Sequence, residues 1–528
     1  MAGRHQGEPA MTIIRSPYPD VEIRDMSITE RVFEGLGDDP DRAIAIDGPT
    51  GREMTVGQFV GGIKALAGGL NQRGFGKGAC VAIMAPNLPE YFVVFHGVAW
   101  AGGTITTVNP TYTAHEVHHQ LVDAGATLLI TVAPFLDTAR EAIQGSNVTE
   151  IYVIGETPGV PSLTGLMGPP QDSQSPVDFA SHVVALPYSS GTTGLPKGVM
   201  LTHRNLVANV DQTLVAAELG EDELAVAFLP FFHIYGLQVL LNMHLAVGAG
   251  LVTMPRFDLE QYLGLCEKYR TPRLWVVPPV AIALAKHPMV DRFDLSAVRQ
   301  MNSGAAPLGG DVAAAVGHRL NCIATQGYGM TELSPVSHLT PLDAPRAGSS
   351  GVTAANTECR IVDTESGTDA APGGTGELWV RGPQVMKGYL NNPEATAATI
   401  DRDGWLHTGD VGHFDSDGYL YVTDRVKELI KYKAFQVAPA ELEAELLTHS
   451  DIADVAVIGV PDDEAGEVPM AFIVPAPDAH PTLSDIQGYL EGRLSHYKQV
   501  RRMEIVDEIP KSASGKILRR VLRDRQGA

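Results

Sequence analysis

The chain has 528 residues, 44% of them apolar and 19% charged, which excludes an extended disordered polymer and leaves room for more than one folding unit with its own core. Lys plus Arg number 39 against 62 Asp plus Glu, a formal charge of −23 that argues against nucleic acid or an anionic membrane as partner. The four cysteines, Cys80, Cys266, Cys322 and Cys359, lie far apart with no CxxC pair, so neither a disulfide framework nor structural zinc is indicated, and a reducing cytoplasm is expected.

The first residues, MAGRHQGEPA, lack the apolar core of a signal peptide, and Met11 is an alternative start to Met1. No apolar run approaches the roughly 18 residues of a membrane span. Between about 54 and 183, strand-like runs such as VAIMAP (81–86) and TLLITV (127–132) alternate with amphipathic segments, the pattern of an α/β sheet. NPTYTAHEVHHQL predicts a turn and then a helix, with Thr113 as N-cap and Glu116 completing a capping box. The same run holds HExxH at 115–119, the spacing of a zinc protease. No third ligand accompanies it and Glu116 already has a capping role, so it is read as a solvated helical turn.

The alternation continues to about 381, while from 373 short strands and turns set in. Beyond a boundary at 424–427, Pro439 stands where a helix begins; VAVIGV, AFIVP, a helix from about 484 and MEIVDEI follow. The expected fold is α/β: a large N-terminal domain of several subdomains over 1–424, its β-sheets flanked by helices, a hinge at 425–430, and a small mobile α+β domain over 431–528.

The chemistry concentrates in YSSGTTGLPKG (188–198), between an apolar run and a strand-like VML. Gly191 and Gly194 free backbone N–H groups to face an anion, Ser189, Ser190, Thr192 and Thr193 add hydroxyl donors, and Lys197 adds a mobile positive charge. This is a phosphate loop by composition. It is not a Walker A loop, because Gly198 rather than Ser or Thr follows the lysine and the glycine spacing differs.

That loop, with GYGMTE (327–332), LHTGD (406–410), DRVKELIKYK (424–433) and PKSASGK (510–516), resembles the adenylate-forming acyl-CoA synthetase family. HIYG (233–236), SGAAPLG (303–309), KYKAFQVAPAELE (431–443) and AGEVP (465–469) are most similar to the 4-coumarate:CoA ligases and related aryl or acyl ligases. The resemblance implies ATP, Mg²⁺ and coenzyme A, an acyl-AMP intermediate, and a monomer or homodimer in phenylpropanoid or fatty-acid metabolism. A luciferase-like oxygenase and a free-standing adenylation enzyme for a carrier protein are the alternatives.

Carried over position by position, the resemblance gives Glu332 to Mg²⁺ and Thr331 to the α-phosphate, with Tyr328 on adenine beside Ala305, Ala306, Gln326 and Gly327. Asp410 and Arg425 would hold ribose, and Lys516 would join the substrate carboxylate to the α-phosphate. Lys431 and Gln436 match further adenylate contacts, Lys427 the hinge, and His233 the junction of acyl and CoA channels. Arg256, Lys433 and Ala434 fall to coenzyme A. The acyl pocket falls to Tyr235, Gln238, Val239, Asn302, Gly304, Gly329, Pro335 and Val336, implying a 4-coumarate or cinnamate-type acid, with a medium-chain fatty acid as the alternative. One position departs from the family: KYKG is here Lys431-Tyr432-Lys433-Ala434, and a Cβ there costs about 1–2 kcal/mol if a left-handed conformation is needed.

Overall fold

The computed structural model describes residues 12–189, 196–433, 435–462, 464–512 and 515–526. Its central sheet has seven strands in the order Gly388–Tyr389, Lys197–Thr202, Val183–Ser189, Thr104–Thr107, Cys80–Met84, Ala126–Val132 and Glu150–Ile154. From Val183–Ser189 to Glu150–Ile154 the strands are parallel, and Lys197–Thr202 turns back antiparallel. Parallel strands are covered on both faces by their crossovers, which is why Cys80–Met84 reads CVAIM without alternation and is buried throughout. The crossover helix Pro89–Trp100 is apolar around its circumference and lies inside the core.

Thr113 caps the helix Ala114–Asp123 as the sequence predicts, receiving the Glu116 N–H while its own N–H donates to the Glu116 carboxylate at 2.8 Å. With Glu116 engaged in the capping box, the HExxH run has a structural explanation. Among the described residues no group of three or more His, Cys, Asp or Glu is arranged to hold a metal, and no helix is long and apolar enough to cross a membrane.

Two further sheets build the site. In one, the parallel strands Arg273–Val276, Gln300–Ser303 and Ile323–Gly329 continue into the antiparallel pair Val336–Leu339 and Val352–Thr353. The other is antiparallel, as the change of pattern after 373 suggests, and orders Ile14–Arg15, Glu358–Val362, Gly376–Arg381, Leu406–Phe414 and Leu420–Arg425. A four-stranded sheet, Leu224–Ala227, Gly250–Thr253, Ala43–Asp47 and Glu53–Thr55, completes the larger part.

Beyond Arg425 the strands Ile430–Tyr432, Phe435–Val437, Ile452–Asp462, Gly466–Pro475 and Arg502–Ile505 form one sheet. The helices Pro439–Leu446 and Leu483–Leu490 pack on it around a core of their own that includes Val437, Leu442, Val457, Ile473 and Ile486. Pro439 takes the first helical turn, where its missing N–H costs nothing. The fold is thus mixed α/β, a large assembly of sheets flanked by helices followed by a small α+β unit.

Candidate active site

A cavity opens where the chain leaves the parallel strands Gln300–Ser303 and Ile323–Gly329, the carboxyl edge at which α/β sheets place their ligands. Glycines let its walls pack closely. A Cβ on Gly304 would stand 3.0 Å from the Tyr235 ring, and one on Gly329 only 2.2 Å from the Pro335 carbonyl oxygen. Ala305 lines the same opening at φ +72°, a left-handed conformation that costs a non-glycine residue about 1–3 kcal/mol and clusters at functional sites.

At one end, register brings a tyrosine, an aspartate and an arginine together. Asp410 and Arg425 are direct partners across adjacent antiparallel strands, and Arg425 Nε donates to Asp410 Oδ1 at 2.9 Å. The Tyr328 hydroxyl donates to Oδ2 at 2.6 Å. Asp410 raises the Arg425 guanidinium further above its ordinary range, while burial and then Asp410 push the Tyr328 phenol well up. The carboxylate is therefore held in place by two donors, and each of its oxygens retains a second lone pair for a ligand hydroxyl.

The Glu332 carboxylate is fixed in a similar way. Its Oε1 accepts from the hydroxyls of Ser189 at 3.1 Å and Tyr389 at 2.8 Å, and Lys197 Nζ stands 4.8 Å over the Tyr389 ring. The phosphate-loop lysine and the carboxylate thus meet around one tyrosine, with Thr331 beside Glu332 lining the cavity.

Lys516 enters the cavity from the C-terminal unit. Its backbone N–H donates to Ser512 Oγ at 3.1 Å, and Gly515, at φ +79°, lets the loop lie against Val277, where a Cβ would stand 3.2 Å from the valine side chain. Burial and Arg425 hold the Lys516 ammonium below the usual lysine range, against the pull of Asp410 and Glu332. Across the cavity His233 is pushed down to about 3 by burial and by Lys516. Its Nδ1 accepts the Tyr235 N–H at 3.2 Å, so the neutral ring carries its proton on Nε2.

The apolar end is lined by Tyr235, Val239, Asn302, Pro335 and Val336, positions the resemblance gives to the acyl pocket, with Gly304 and Gly329 also in its wall. Trp275 and Thr213 also line it, and neither carries a signal in the sequence: Trp275 sits in the apolar run RLWVVP, and Thr213 within a helix. Gln238 requires correction. Its Nε2 donates to the Leu206 carbonyl at 2.7 Å and its Oε1 accepts from Asn242 Nδ2 at 2.8 Å, so this side chain is committed to the scaffold rather than to a ligand. Gln326 is likewise turned from the cavity, accepting the Leu308 N–H at 2.9 Å and donating to the Leu308 carbonyl at 3.1 Å. Gly327 and Tyr328 remain beside the cavity.

The remaining basic positions stand elsewhere. Lys427 is exposed on the turn after Arg425, and Lys431 and Gln436 are exposed cross-strand partners on the following hairpin. Lys433 is exposed at φ +53° with Nζ 3.5 Å from Glu464, and Arg256 is exposed after the strand Gly250–Thr253. Ser190, Gly191, Thr192, Thr193, Gly194 and Ala434 lie outside the described residues.

A lysine, a carboxylate held by hydroxyls, and a Tyr-Asp-Arg chain around one cavity form a set suited to nucleotide and carboxylate chemistry. The AMP-binding enzyme family matches residues 33–390, and the AMP-binding enzyme C-terminal domain matches residues 441–516. The chain is 41% identical to 4-coumarate–CoA ligase 3 of Oryza sativa subsp. japonica, over 98% of this chain and 96% of that protein. It is also 41% identical to 4-coumarate–CoA ligase 1 of Petroselinum crispum, over 97% and 96%. The crystal structure of the anthranilate CoA ligase AuaEII in complex with anthranoyl-AMP matches with a TM-score of 0.89 at 26% identity, covering 95% of this chain and 97% of that one. The chain belongs to the AMP-binding enzyme family, as an ATP-dependent, AMP-forming acid–CoA ligase similar to the 4-coumarate–CoA ligases.

Proposed function

We propose that the acid is a flat aryl acid of the cinnamate and 4-coumarate class, activated in the cavity into which Lys516 reaches. The observation that carries this is the shared cavity itself: Lys516 and His233 lie on the same surface as Tyr235, Trp275 and the glycines Gly304 and Gly329, whose missing side chains let the Tyr235 ring and the Pro335 backbone pack close as its walls. Two relatives are named for 4-coumarate. With Gln238 committed to the scaffold, Asn302 is the amide left in the cavity wall to meet a ring hydroxyl.

In the first half-reaction a carboxylate oxygen attacks the α-phosphorus of ATP and pyrophosphate leaves. Lys516 neutralises the charge shared by the carboxylate and the α-phosphate, Thr331 donates to that phosphate, and Asp410 and Arg425 grip the ribose. Glu332 suits Mg²⁺: a single anchored carboxylate together with substrate phosphates is how this ion is usually held, and no protein-only cage stands among the described residues. When bound, the ion supplies charge neutralisation at the phosphate oxygens. Lys197 and the loop 188–198 serve the same phosphates.

In the second half-reaction the CoA thiolate attacks the acyl carbon and AMP leaves. The exposed hairpin bearing Lys431, Gln436 and Lys433 does not line the cavity in the present arrangement. The small domain 431–528 turns about 425–430, with Lys427 at the hinge, exchanging Lys516 for that hairpin. His233 guards the junction of the two channels, and Arg256 and Lys433 meet the CoA phosphates. The enzyme works as a monomer or homodimer in the cytoplasm. Ala434→Gly is expected to raise thioester formation while leaving pyrophosphate release unchanged.

The test is a panel of cinnamate, 4-coumarate and medium-chain fatty acids with ATP, with and without CoA, following pyrophosphate and thioester. Aryl acids are expected to give the highest kcat/KM for pyrophosphate release and a CoA-dependent thioester. Turnover of fatty acids alone would contradict the assignment.

A further inference from the structure

His244 is fully buried and takes no part in the steps above. It lies in the turn Met243–Leu245, directly after the π-helix Tyr235–Asn242, a widened helix of a kind found often at functional sites. Its Nε2 stands 3.2 Å from Trp275 Nε1 and its Nδ1 stands 3.0 Å from the Val239 carbonyl oxygen. An indole nitrogen only donates, so Nε2 must hold the lone pair; the proton is then on Nδ1 and goes to Val239. One neutral tautomer satisfies both contacts, and burial pushes the imidazole down to about 4, which keeps that tautomer in place near neutral pH. The two rings meet edge to face, 5.9 Å apart at 79°.

Both partners of His244 line the acyl end of the cavity. Val239 comes from the π-helix and Trp275 from the strand Arg273–Val276, so a single imidazole ties the helical wall to the sheet wall. Trp275 is also the direct cross-strand neighbour of Asn302, whose Nδ2 donates to Thr325 Oγ1 at 3.0 Å. The indole is therefore held on one side by a sheet neighbour with its own anchor and on the other by His244. Without His244, the indole N–H would be a buried donor lacking its partner, and the ring would be free to turn into or away from the cavity.

We propose that His244 is a positioning residue for the acid: resting on the aryl-acid reading above, it fixes the Trp275 indole against the Val239 wall and so sets the width and selectivity of the acyl pocket. It touches neither acid nor nucleotide, and its effect belongs to acid binding alone.

Steady-state pyrophosphate release by the full-length enzyme tests this with cinnamate and octanoate as acids. His244→Leu, close in size but unable to bond either partner, is expected to raise the KM for cinnamate about tenfold, with kcat and the KM for ATP changed by less than about twofold. Octanoate, which does not need a fixed ring wall, is expected to lose far less, so the cinnamate-to-octanoate preference falls. His244→Gln, which offers one donor and one acceptor, is expected to restore most of the cinnamate KM. Trp275→Phe keeps a ring but removes the N–H; adding His244→Leu to it is expected to change the cinnamate KM by less than about twofold. Thermal unfolding accompanies each variant, and Trp275→Phe carries the test if His244→Leu fails to fold, its cinnamate KM rising without a change in the KM for ATP. An unchanged cinnamate KM in His244→Leu, equal rises in the KM for acid and ATP, or multiplying effects in the double variant would overturn the role of His244 alone. Absence of pyrophosphate from the unaltered enzyme with every aryl acid would instead overturn the function on which that role rests.

Discussion

Asp410 and Arg425 face each other directly across two antiparallel strands, and the arginine Nε donates to one carboxylate oxygen at 2.9 Å while Tyr328 donates to the other at 2.6 Å. The acid is thus oriented before any ligand arrives. Asp410→Asn keeps the volume but turns one acceptor into a donor and removes the counter-charge of Arg425. The KM for ATP is expected to rise about 10- to 100-fold, the scale of losing a hydrogen bond to a charged group, with little change in the KM for the acid. Initial-rate kinetics with each substrate varied in turn will separate the two; an equal rise in both would place Asp410 outside the nucleotide site.

Gly304 lies so close to Tyr235 that a Cβ would meet its ring at 3.0 Å, tighter than ordinary packing allows. In Gly304→Ala the enclosed ring has to move by a few tenths of an ångström, and the movement falls on the acyl end of the cavity. The KM for cinnamate is expected to rise about tenfold with the KM for ATP unchanged, and a smaller acid such as propionate is expected to be spared. Equal losses for cinnamate and propionate would mean that the slot is not where the ring sits.

Lys516 supplies the pH dependence. Its ammonium is held below the ordinary lysine range by burial first and Arg425 next, and in the proposed role the protonated form is the one that neutralises the α-phosphate. Adenylation is therefore retained on the acid side of the lowered Lys516 pKa and lost as pH rises through it. His233, held down to about 3, stays neutral from about pH 5 upward and adds no limb there. In Lys516→Arg the alkaline limb of kcat/KM is expected to vanish from the measurable range, because a guanidinium does not deprotonate there. A limb that survives the substitution belongs to another group.

Much of this site was legible because its chemistry is written in short strings. The donor-rich 188–198, GYGMTE and LHTGD name their residues without needing a fold, and the capping box at Thr113 and Glu116 separated a helix start from a zinc site. What they could not show is register: the resemblance gives both Asp410 and Arg425 to ribose, but only strand pairing sets them opposite each other. Gln238 was misplaced for a reason of helix geometry. On an α-helix it would share a face with Tyr235, but the widened π-helical turn keeps Val239 on the cavity side and directs Gln238 to Leu206. Trp275 and His244 left no trace at all, because an aromatic in a buried strand and a histidine in an apolar helix read as core. Only the tertiary arrangement reveals that one lines the cavity and the other holds it.

The most direct measurement compares the unaltered enzyme with Lys516→Ala in two assays: pyrophosphate release from cinnamate and ATP, and thioester formation from preformed cinnamoyl-AMP and CoA. Lys516 lines the cavity, and on its proposed role of joining the carboxylate to the α-phosphate, pyrophosphate release is expected to fall about 100- to 1,000-fold while thioester formation stays within about threefold. Undiminished pyrophosphate release, or equal loss of both half-reactions, would contradict that role.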